Sequence, residues 1–145
     1  MRLLIQRVLK ASVCVEDKIV GKIGSGVLVF LAIKKTDTLD CLEKVIDKLI
    51  HLRIFSDKQN KMHLSLIDTQ AEILVVSQFT LYANCMKGRR PSFSDTADPL
   101  FAKKIYEHFI QLLKQKIKCV DTGVFGANMQ VESINDGPVT FCIDF

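Results

Sequence analysis

Residues 27–33 form a continuous apolar run that contains no polar side chain. A strand with one face in water alternates apolar and polar residues, so an unbroken run predicts a central strand covered on both faces. Residues 73–81 form a second strongly apolar strand pattern. The fold must therefore place other elements over both faces of its sheet.

Two amphipathic stretches predict helices that provide this cover. Thr36-Asp37-Thr38 supplies an N-cap for a helix that runs to about Leu52. Asp98-Pro99 predicts the start of a second helix, because Asp caps helices and proline is accepted at the first helical position. The side chains expected to face the core are Leu42, Val45, Ile46 and Leu49 in the first helix and Phe101, Ile105, Phe109, Leu112 and Leu113 in the second.

Further strand patterns lie towards the two ends of the chain. The expected strands are residues 1–8, 12–16, 18–23, 119–124, 129–135 and 139–143. In the first of them Arg7 shares a face with Leu3 and Ile5, so its charge needs a partner if that face is buried. This order of elements predicts an α+β fold: antiparallel-rich β-sheets, barrel-like or sandwich-like, with two long helices packed against them.

Length and composition indicate one domain, residues 1–145, large enough to bury roughly 70% of its unfolded surface. Hydrophobic residues make up 48% and charged residues 25%, which argues against disorder. No run approaches the ~20 apolar residues of a membrane span, and we expect no signal peptide and no membrane partner. The five cysteines are scattered and form no C-x-x-C pair, so we expect reduced thiols in the cytoplasm.

Asn135-Asp136-Gly137-Pro138 lies between two strand patterns and allows two interpretations. Asn, Asp and Gly tolerate left-handed dihedral angles, which favours a hairpin turn. Proline argues against a simple hairpin, because it removes a backbone donor where the second strand would begin. The alternative is a rigid loop whose backbone groups point outward at a ligand.

Polar side chains at the end of the second apolar strand are candidates for chemistry. Ser77 or Thr80 in Ser77-Gln78-Phe79-Thr80 could act as a nucleophile, although no histidine lies nearby in sequence to activate either. The alternative is that both hydroxyls bond to neighbouring backbone. In a regular strand Ser77 and Thr80 point to opposite faces, so they serve one site only if the strand kinks.

Residues 82–97 form a long polar loop that contains Lys87-Gly88-Arg89-Arg90-Pro91-Ser92-Phe93. Three cations with a glycine and an aromatic ring suit phosphate contacts and base stacking, and a solvated surface is the alternative. The segment 123–126 is interpreted as a turn between strands. The three histidines have no metal-ligand spacing, so we expect neither a metal nor a cofactor.

In their order and spacing, three of these motifs resemble the D-aminoacyl-tRNA deacylase (D-tyrosyl-tRNA deacylase) family. They are Ser77-Gln78-Phe79-Thr80, the basic segment 87–93 and Asn135-Asp136-Gly137-Pro138-Val139-Thr140. The likeness extends over the whole chain and includes Gln6-Arg7-Val8, Leu52-Arg53-Ile54-Phe55 and Phe125-Gly126-Ala127. The resemblance implies a cytoplasmic homodimer with active sites at the subunit interface. It also implies hydrolysis of the ester that links a D-amino acid to tRNA, with no DNA partner.

The resemblance also implies residue roles. Gly137 and Pro138, joined by a cis peptide, would form the chirality filter in the partner subunit's pocket, with Asn135 and Thr140 beside them. Arg7 would brace that loop. The residues lining the reacting centre would be Ser77, Gln78, Phe79 and Thr80, and the tRNA contacts would come from Lys87, Arg89 and Arg90. Asn84-Cys85-Met86 departs from the acid and more polar stretch usual in the family, which leaves the finer tRNA contacts open.

Ester hydrolysis needs an activated water and donors for the developing oxyanion. Backbone N–H groups around Phe79 and Thr80 suit the second task. For the first, either Thr80 is the nucleophile or the 2′-hydroxyl of the terminal adenosine positions the water. Rigid carbonyls at Gly137 and Pro138 would capture the α-amino group and exclude an L side chain, which leaves glycyl-tRNA unexcluded. A tRNA-binding module without catalysis and a general esterase or peptidase are the rival functions.

Overall fold

A six-stranded mixed sheet is the centre of the computed structural model, which describes residues 1–86 and 88–145. The strands are β1 (Arg2–Val15), β2 (Lys18–Ile23), β3 (Gly26–Ala32), β4 (Phe55–Ser56), β5 (Met62–Leu64), β6 (Glu72–Ser77), β7 (Val120–Thr122) and β8 (Gln130–Asp144). The helices are α1 (Leu42–Ile50), α2 (Leu66–Thr69) and α3 (Pro99–Lys116), with 3₁₀ turns at Leu39–Cys41 and Phe79–Tyr82. Strands β4 and β5 form a separate small sheet.

The long strand β1 organises the main sheet. It pairs antiparallel with β3 through residues 2–8, with β2 through residues 11–15 and with β8 along nearly its whole length. Strands β3, β6 and β7 then run parallel to one another. The sheet curls into a nearly closed barrel that brings β2 next to β7, where the backbone N–H of Lys22 donates to the Asp121 carboxylate at 2.8 Å. The predicted fold class is confirmed.

The central strand β3 is covered on both faces, as its apolar run predicts. Val27, Val29 and Leu31 pack into a core between the sheet and the helices. Leu28 packs on the opposite face in a second cluster inside the barrel, with Leu74 of β6. Burial on both faces explains why β3 lacks the alternation of a half-exposed strand.

The first helix begins later than predicted. Thr38 makes no capping hydrogen bond, and a 3₁₀ turn precedes α1. Asp37 instead accepts a hydrogen bond from the Lys34 N–H at 2.7 Å and pairs with the Met1 ammonium at 2.6 Å. The predicted core face of α1, with Leu42, Val45, Ile46 and Leu49, is buried as expected.

The second predicted helix, α3, is capped as expected, because the Asp98 carboxylate accepts from the N–H groups of Leu100 and Phe101. Phe101 itself is 39% exposed, so its predicted core position is wrong. The first turn of α3 flanks a surface cavity through Pro99 and Ala102. Leu112 is half-buried, whereas Tyr106 and Ile110 supply additional core contacts. None of the helices in the described part of the chain is long and apolar enough to cross a membrane.

The two longest strands, β1 and β8, differ from the strands predicted from the sequence. Residues 1–8 and 12–16 fall in or beside one strand, β1, and residues 129–135 and 139–143 fall in or beside another, β8. The stretch around Gly137-Pro138 is therefore not a hairpin turn. Gln6 lies opposite Thr140 and Val8 opposite Asn135, so residues 136–139 bulge opposite Arg7 alone. Proline cannot donate to the ladder, yet β8 continues beyond it because β1 offers a partner on both sides of the bulge.

Candidate active site

The strand β6 ends at Ser77, where the chain turns sharply. The last ladder pair joins Leu31 of β3 to Ser77, one residue before β3 itself ends at Ala32. Gln78 has a ψ of 77°, although its N–H still donates to the Leu31 carbonyl at 2.9 Å. The predicted strand is therefore wrong over residues 78–81, which enter a 3₁₀ turn. This kink removes the regular strand geometry that would put Ser77 and Thr80 on opposite faces, although only Ser77 of the two lines the cavity beside the turn.

The turn orients both a side chain and backbone donors. The Gln78 side-chain Nε2 donates a hydrogen bond to the Thr80 Oγ1. The first N–H groups of any helical turn have no acceptor within that turn, which applies here to Phe79 and Thr80. Such N–H groups are suitable donors for an oxyanion. The turn therefore places the Thr80 hydroxyl, hydrogen-bonded to Gln78, next to two amides that have no acceptor within the turn.

A cavity of about 520 Å³ opens beside the turn, and its walls are mainly apolar. Ser77, Gln78 and Phe79 form one wall, and β3 and β6 contribute a second through Leu31 and Val76. The start of α3 and residues 125–129 enclose the other side. Sequence reasoning identified the first wall but interpreted residues 123–126 only as a turn. Phe125 and Gly126 do lie in a turn, and both also line the cavity.

Arg7 joins the bulge of β8 to the rest of the molecule. Its guanidinium donates to the Ile54 carbonyl at 2.5 Å and to the Asp136 carbonyl at 3.2 Å. Its Nε also lies 3.0 Å from the Asp136 carboxylate. The Gly137-Pro138 peptide is cis, which the resemblance led us to expect. Sequence reasoning did not identify Asp136 as the partner of Arg7. It indicated only that Arg7, if buried, would require a partner for its charge.

Gly137 occupies a position that accepts no side chain. Its φ of +124° is a conformation that L residues rarely adopt. A Cβ added there would lie 2.8 Å from the Val139 Cγ2 and 3.3 Å from the Arg7 Nη2. Asn135 and Thr140 flank the bulge and are exposed.

Within one chain, the two groups of predicted site residues remain apart. The described residues that line the cavity include Ser77, Gln78 and Phe79 but neither Gly137 nor Pro138. The second group sits on the exposed bulge of β8. The residues of 1–86 and 88–145 contain no group of three or more His, Cys, Asp or Glu side chains that could hold a metal ion.

Comparison with known proteins identifies the family. A family model described as D-Tyr-tRNA(Tyr) deacylase matches residues 4–144. This chain belongs to that family. The resemblance inferred from the three motifs is thereby confirmed.

Relatives share nearly the full length of this deacylase-family chain. It is 54% identical over 144 residues to a D-aminoacyl-tRNA deacylase of Clostridium botulinum (strain Alaska E43 / Type E3), covering 99% of this chain and 97% of the relative. It is 51% identical to the D-aminoacyl-tRNA deacylase of Fervidobacterium nodosum, with the same coverage.

Two solved structures are also similar to this chain. One, "c-Myc DNA Unwinding Element Binding Protein", is 38% identical with a TM-score of 0.94, and the match covers 100% of this chain and 99% of that one. A probable eukaryotic D-amino acid tRNA deacylase has a TM-score of 0.89 over 99% of this chain and 98% of its own, and at 21% identity it supports the fold alone.

The basic loop of this family member is closed by a short backbone bridge. Asn84 and Ser92 exchange two hydrogen bonds, at 2.8 and 3.0 Å. Arg89 and Arg90 lie within this closed loop and are exposed. Lys87 lies outside the described residues. In the atypical stretch before it, the Asn84 side chain accepts from the Met86 N–H at 3.0 Å, and Met86 is 90% exposed.

An ionic anchor holds the far end of the 3₁₀ turn. Arg2 donates to the Leu81 carbonyl at 2.7 Å and to both oxygens of Asp144, at 2.8 and 3.0 Å. These hydrogen bonds lower the pKa of the Asp144 carboxyl. The guanidinium also lies 4.8 Å from the centre of the Tyr82 ring, and burial raises the pKa of the Tyr82 hydroxyl to about 12. Sequence reasoning did not identify this anchor, which joins residues at both ends of the chain.

Proposed function

We propose that this chain is a hydrolase that cleaves the ester bond of D-aminoacyl-tRNA, releasing free D-amino acid and tRNA. The observation that carries the proposal is the turn Phe79–Tyr82, which presents amide donors beside an apolar cavity in a chain of the D-Tyr-tRNA(Tyr) deacylase family. The names of its relatives, which share about half of its residues, support the same activity.

The reacting centre is assigned to Ser77, Gln78, Phe79 and Thr80. A water oxygen adds to the ester carbonyl carbon, and the N–H groups of Phe79 and Thr80 stabilise the oxyanion that forms. The intermediate then expels the ribose oxygen, which takes up the proton lost by the water. The Thr80 oxygen accepts a hydrogen bond from Gln78, which makes it a weaker nucleophile. This supports activation of the water by the 2′-hydroxyl of the RNA.

The cavity suits the terminal adenosine of the tRNA. Its volume of about 520 Å³ lies within the range typical of small-molecule sites, and its mainly apolar walls match the faces of a nucleobase. Ser77 and Phe79 line it directly. A nucleoside held here has its ribose next to the turn, where the ester must be attacked. Arg89 and Arg90, together with Lys87, are proposed to contact the phosphates of the tRNA.

The open edge of β8 supports a proposed homodimer. Among the described elements β8 pairs only with β1, so much of its outer edge carries unpaired backbone groups. Ile134 and Phe141 on this strand are 48% and 37% exposed. A long exposed edge with apolar side chains is a template for pairing with another chain. A second copy of this chain is the proposed partner.

In such a dimer the Gly137-Pro138 bulge of one subunit would enter the site formed by Ser77–Thr80 of the other. The support is that the two groups remain apart within one chain. Backbone carbonyls of the bulge would bind the substrate's α-amino group and leave no room for an L side chain. Glycine has no side chain to exclude, so glycyl-tRNA is a further proposed substrate. The five free thiols support a cytoplasmic location.

The test is to incubate the protein with D-tyrosyl-tRNA and L-tyrosyl-tRNA in parallel and measure the free tyrosine released. We expect the D substrate to react at least about a hundredfold faster, a difference of roughly 2.7 kcal/mol in the activation barrier. Equal rates would contradict the chiral site. Binding of tRNA without release would favour a binding module, and cleavage of simple activated esters without tRNA would favour a general esterase.

A further inference from the structure

We propose that Phe79 and Phe93 form an aromatic platform that stacks an unpaired nucleobase of the RNA 3′ end, next to the nucleotide held in the cavity. The two ring centres lie 5.1 Å apart with an angle of 58° between the ring planes. Phe79 is 57% exposed and Phe93 is 38% exposed, so the rings cover each other only in part. The proposal rests on the proposed function, because that function supplies the RNA.

The platform is continuous with the cavity. Phe79 lines the cavity wall and also contacts Phe93, so a single ring borders both places. A nucleotide in the cavity therefore has its neighbour in the RNA chain beside the platform. Stacking on an aromatic face is available to every base, which suits a 3′ end shared by different tRNAs.

The backbone around Phe93 is fixed by hydrogen bonds and does not need to be ordered by the ligand. Its carbonyl accepts hydrogen bonds from the Thr96 N–H at 3.1 Å and from the Thr96 hydroxyl at 2.7 Å. The preceding residue, Ser92, forms the two-bond bridge with Asn84, and the Lys35 Nζ donates to the Ser94 carbonyl at 3.1 Å. Because this backbone is ordered before binding, less conformational freedom is lost when a base stacks on the ring that it carries.

The surrounding charge favours RNA as the occupant. Arg89 and Arg90 are exposed in the loop that ends at the Asn84–Ser92 bridge, shortly before Phe93. Cations beside exposed aromatic rings are the combination with which proteins bind single-stranded nucleic acid, through the phosphates and the base faces respectively. The nearby Asp95 carboxylate lies 3.7 Å from the Lys35 Nζ, which offsets its charge.

The test compares Phe93→Leu with the matched control Phe93→Tyr, which keeps an aromatic face. Each is assayed with D-tyrosyl-tRNA and with D-tyrosyl-adenosine, which lacks the preceding nucleotides. We expect Phe93→Leu to raise KM for the tRNA about tenfold relative to KM for the adenosine ester, near the low end of the effect of one stacked base. Phe93→Tyr should keep the wild-type ratio. If the ratio of the two KM values is unchanged in Phe93→Leu, the proposed platform is wrong.

A binding measurement separates this proposal from the proposed function. The ribonucleotide trimer CCA should bind the wild type and Phe93→Tyr more tightly than adenosine does, and Phe93→Leu should lose that difference. This holds even if the wild type releases no tyrosine from D-tyrosyl-tRNA, which would refute the proposed function alone. Equal affinities of the wild type for the trimer and adenosine would overturn the platform. A changed molar mass of Phe93→Leu in light scattering would also overturn it, since the ring would then serve a contact between protein chains.

Discussion

The Thr80 hydroxyl distinguishes two mechanisms: either it attacks the ester itself, or the 2′-hydroxyl of the RNA positions a water that does. Its oxygen accepts a hydrogen bond from Gln78, which leaves it less available to attack a carbonyl carbon. If the backbone amides and the RNA 2′-hydroxyl carry the reaction, Thr80→Ala should retain measurable deacylation of D-tyrosyl-tRNA in single-turnover assays. Thr80→Ser is the matched control, and circular dichroism checks that both variants fold. A loss of several orders of magnitude, or a trapped aminoacyl ester on Thr80, would instead identify it as the nucleophile.

Residue patterns predicted the need for some contacts but not the partners. The apolar row containing Arg7 predicted that its charge would require a partner, because unpaired buried charges are costly. That the partners are Asp136 and the Ile54 carbonyl depends on the packing of distant segments. The contact between Phe79 and Phe93 likewise depends on the kink after Ser77, which interrupts a run that predicts a regular strand.

At the scale of elements, Arg7 connects β1, the bulge of β8 and the segment that follows α1. It is only 8% exposed, so its removal leaves the Ile54 carbonyl without its donor. We expect Arg7→Met to lower the free energy of unfolding by about 2 kcal/mol, the range for hydrogen bonds to a charged group, as measured by urea denaturation. Arg53→Met is the control, because Arg53 is exposed. Its effect should stay within about 0.5 kcal/mol, and an equal loss in both variants would contradict the role given to Arg7.

The anchor between Arg2 and Asp144 gives a prediction for pH. Because Arg2 lowers the pKa of the Asp144 carboxyl, the folded protein binds protons less readily at this group than the unfolded chain does. The ion pair therefore stabilises the fold at pH values above the pKa that the Asp144 carboxyl has in the unfolded chain. This stabilisation is lost as the pH falls through the lower pKa of the folded state. Asp144→Asn should therefore be less stable than the wild type at pH 7, and the difference should shrink towards zero on acidification. A difference independent of pH would exclude the ion pair as its cause.

The order and type of most elements could be predicted locally, whereas two strand boundaries could not. The residues around Gly137-Pro138 have turn chemistry, yet β8 continues through them because β1 pairs with it on both sides. Similarly, the apolar pattern of residues 73–81 predicts a strand to Leu81, but β6 ends at Ser77, opposite Leu31 and within one residue of the end of its neighbour β3. In both cases the deciding partner lies far away in sequence, so no local window contains the information.

At the scale of the whole molecule, the proposed site is complete only if two chains share it, and this can be tested by mixing inactive variants. Gly137→Ala should inactivate the bulge, because the added Cβ would lie 2.8 Å from the Val139 Cγ2 at a φ of +124°. Phe79→Ala should inactivate the other half of the shared site, which is formed by the cavity. Gly24→Ala is the control for the first variant, since its nearest new contact, at 3.7 Å, is ordinary.

When the two inactive variants exchange subunits, each mixed dimer should contain one site with both defects and one with neither. With random exchange half of the dimers are mixed and half of their sites are intact, so about a quarter of wild-type deacylation should return. Either variant incubated alone should remain inactive under the same conditions. If native mass spectrometry shows mixed dimers but no activity returns, the Gly137-Pro138 bulge serves its own chain, and the shared-site proposal is wrong.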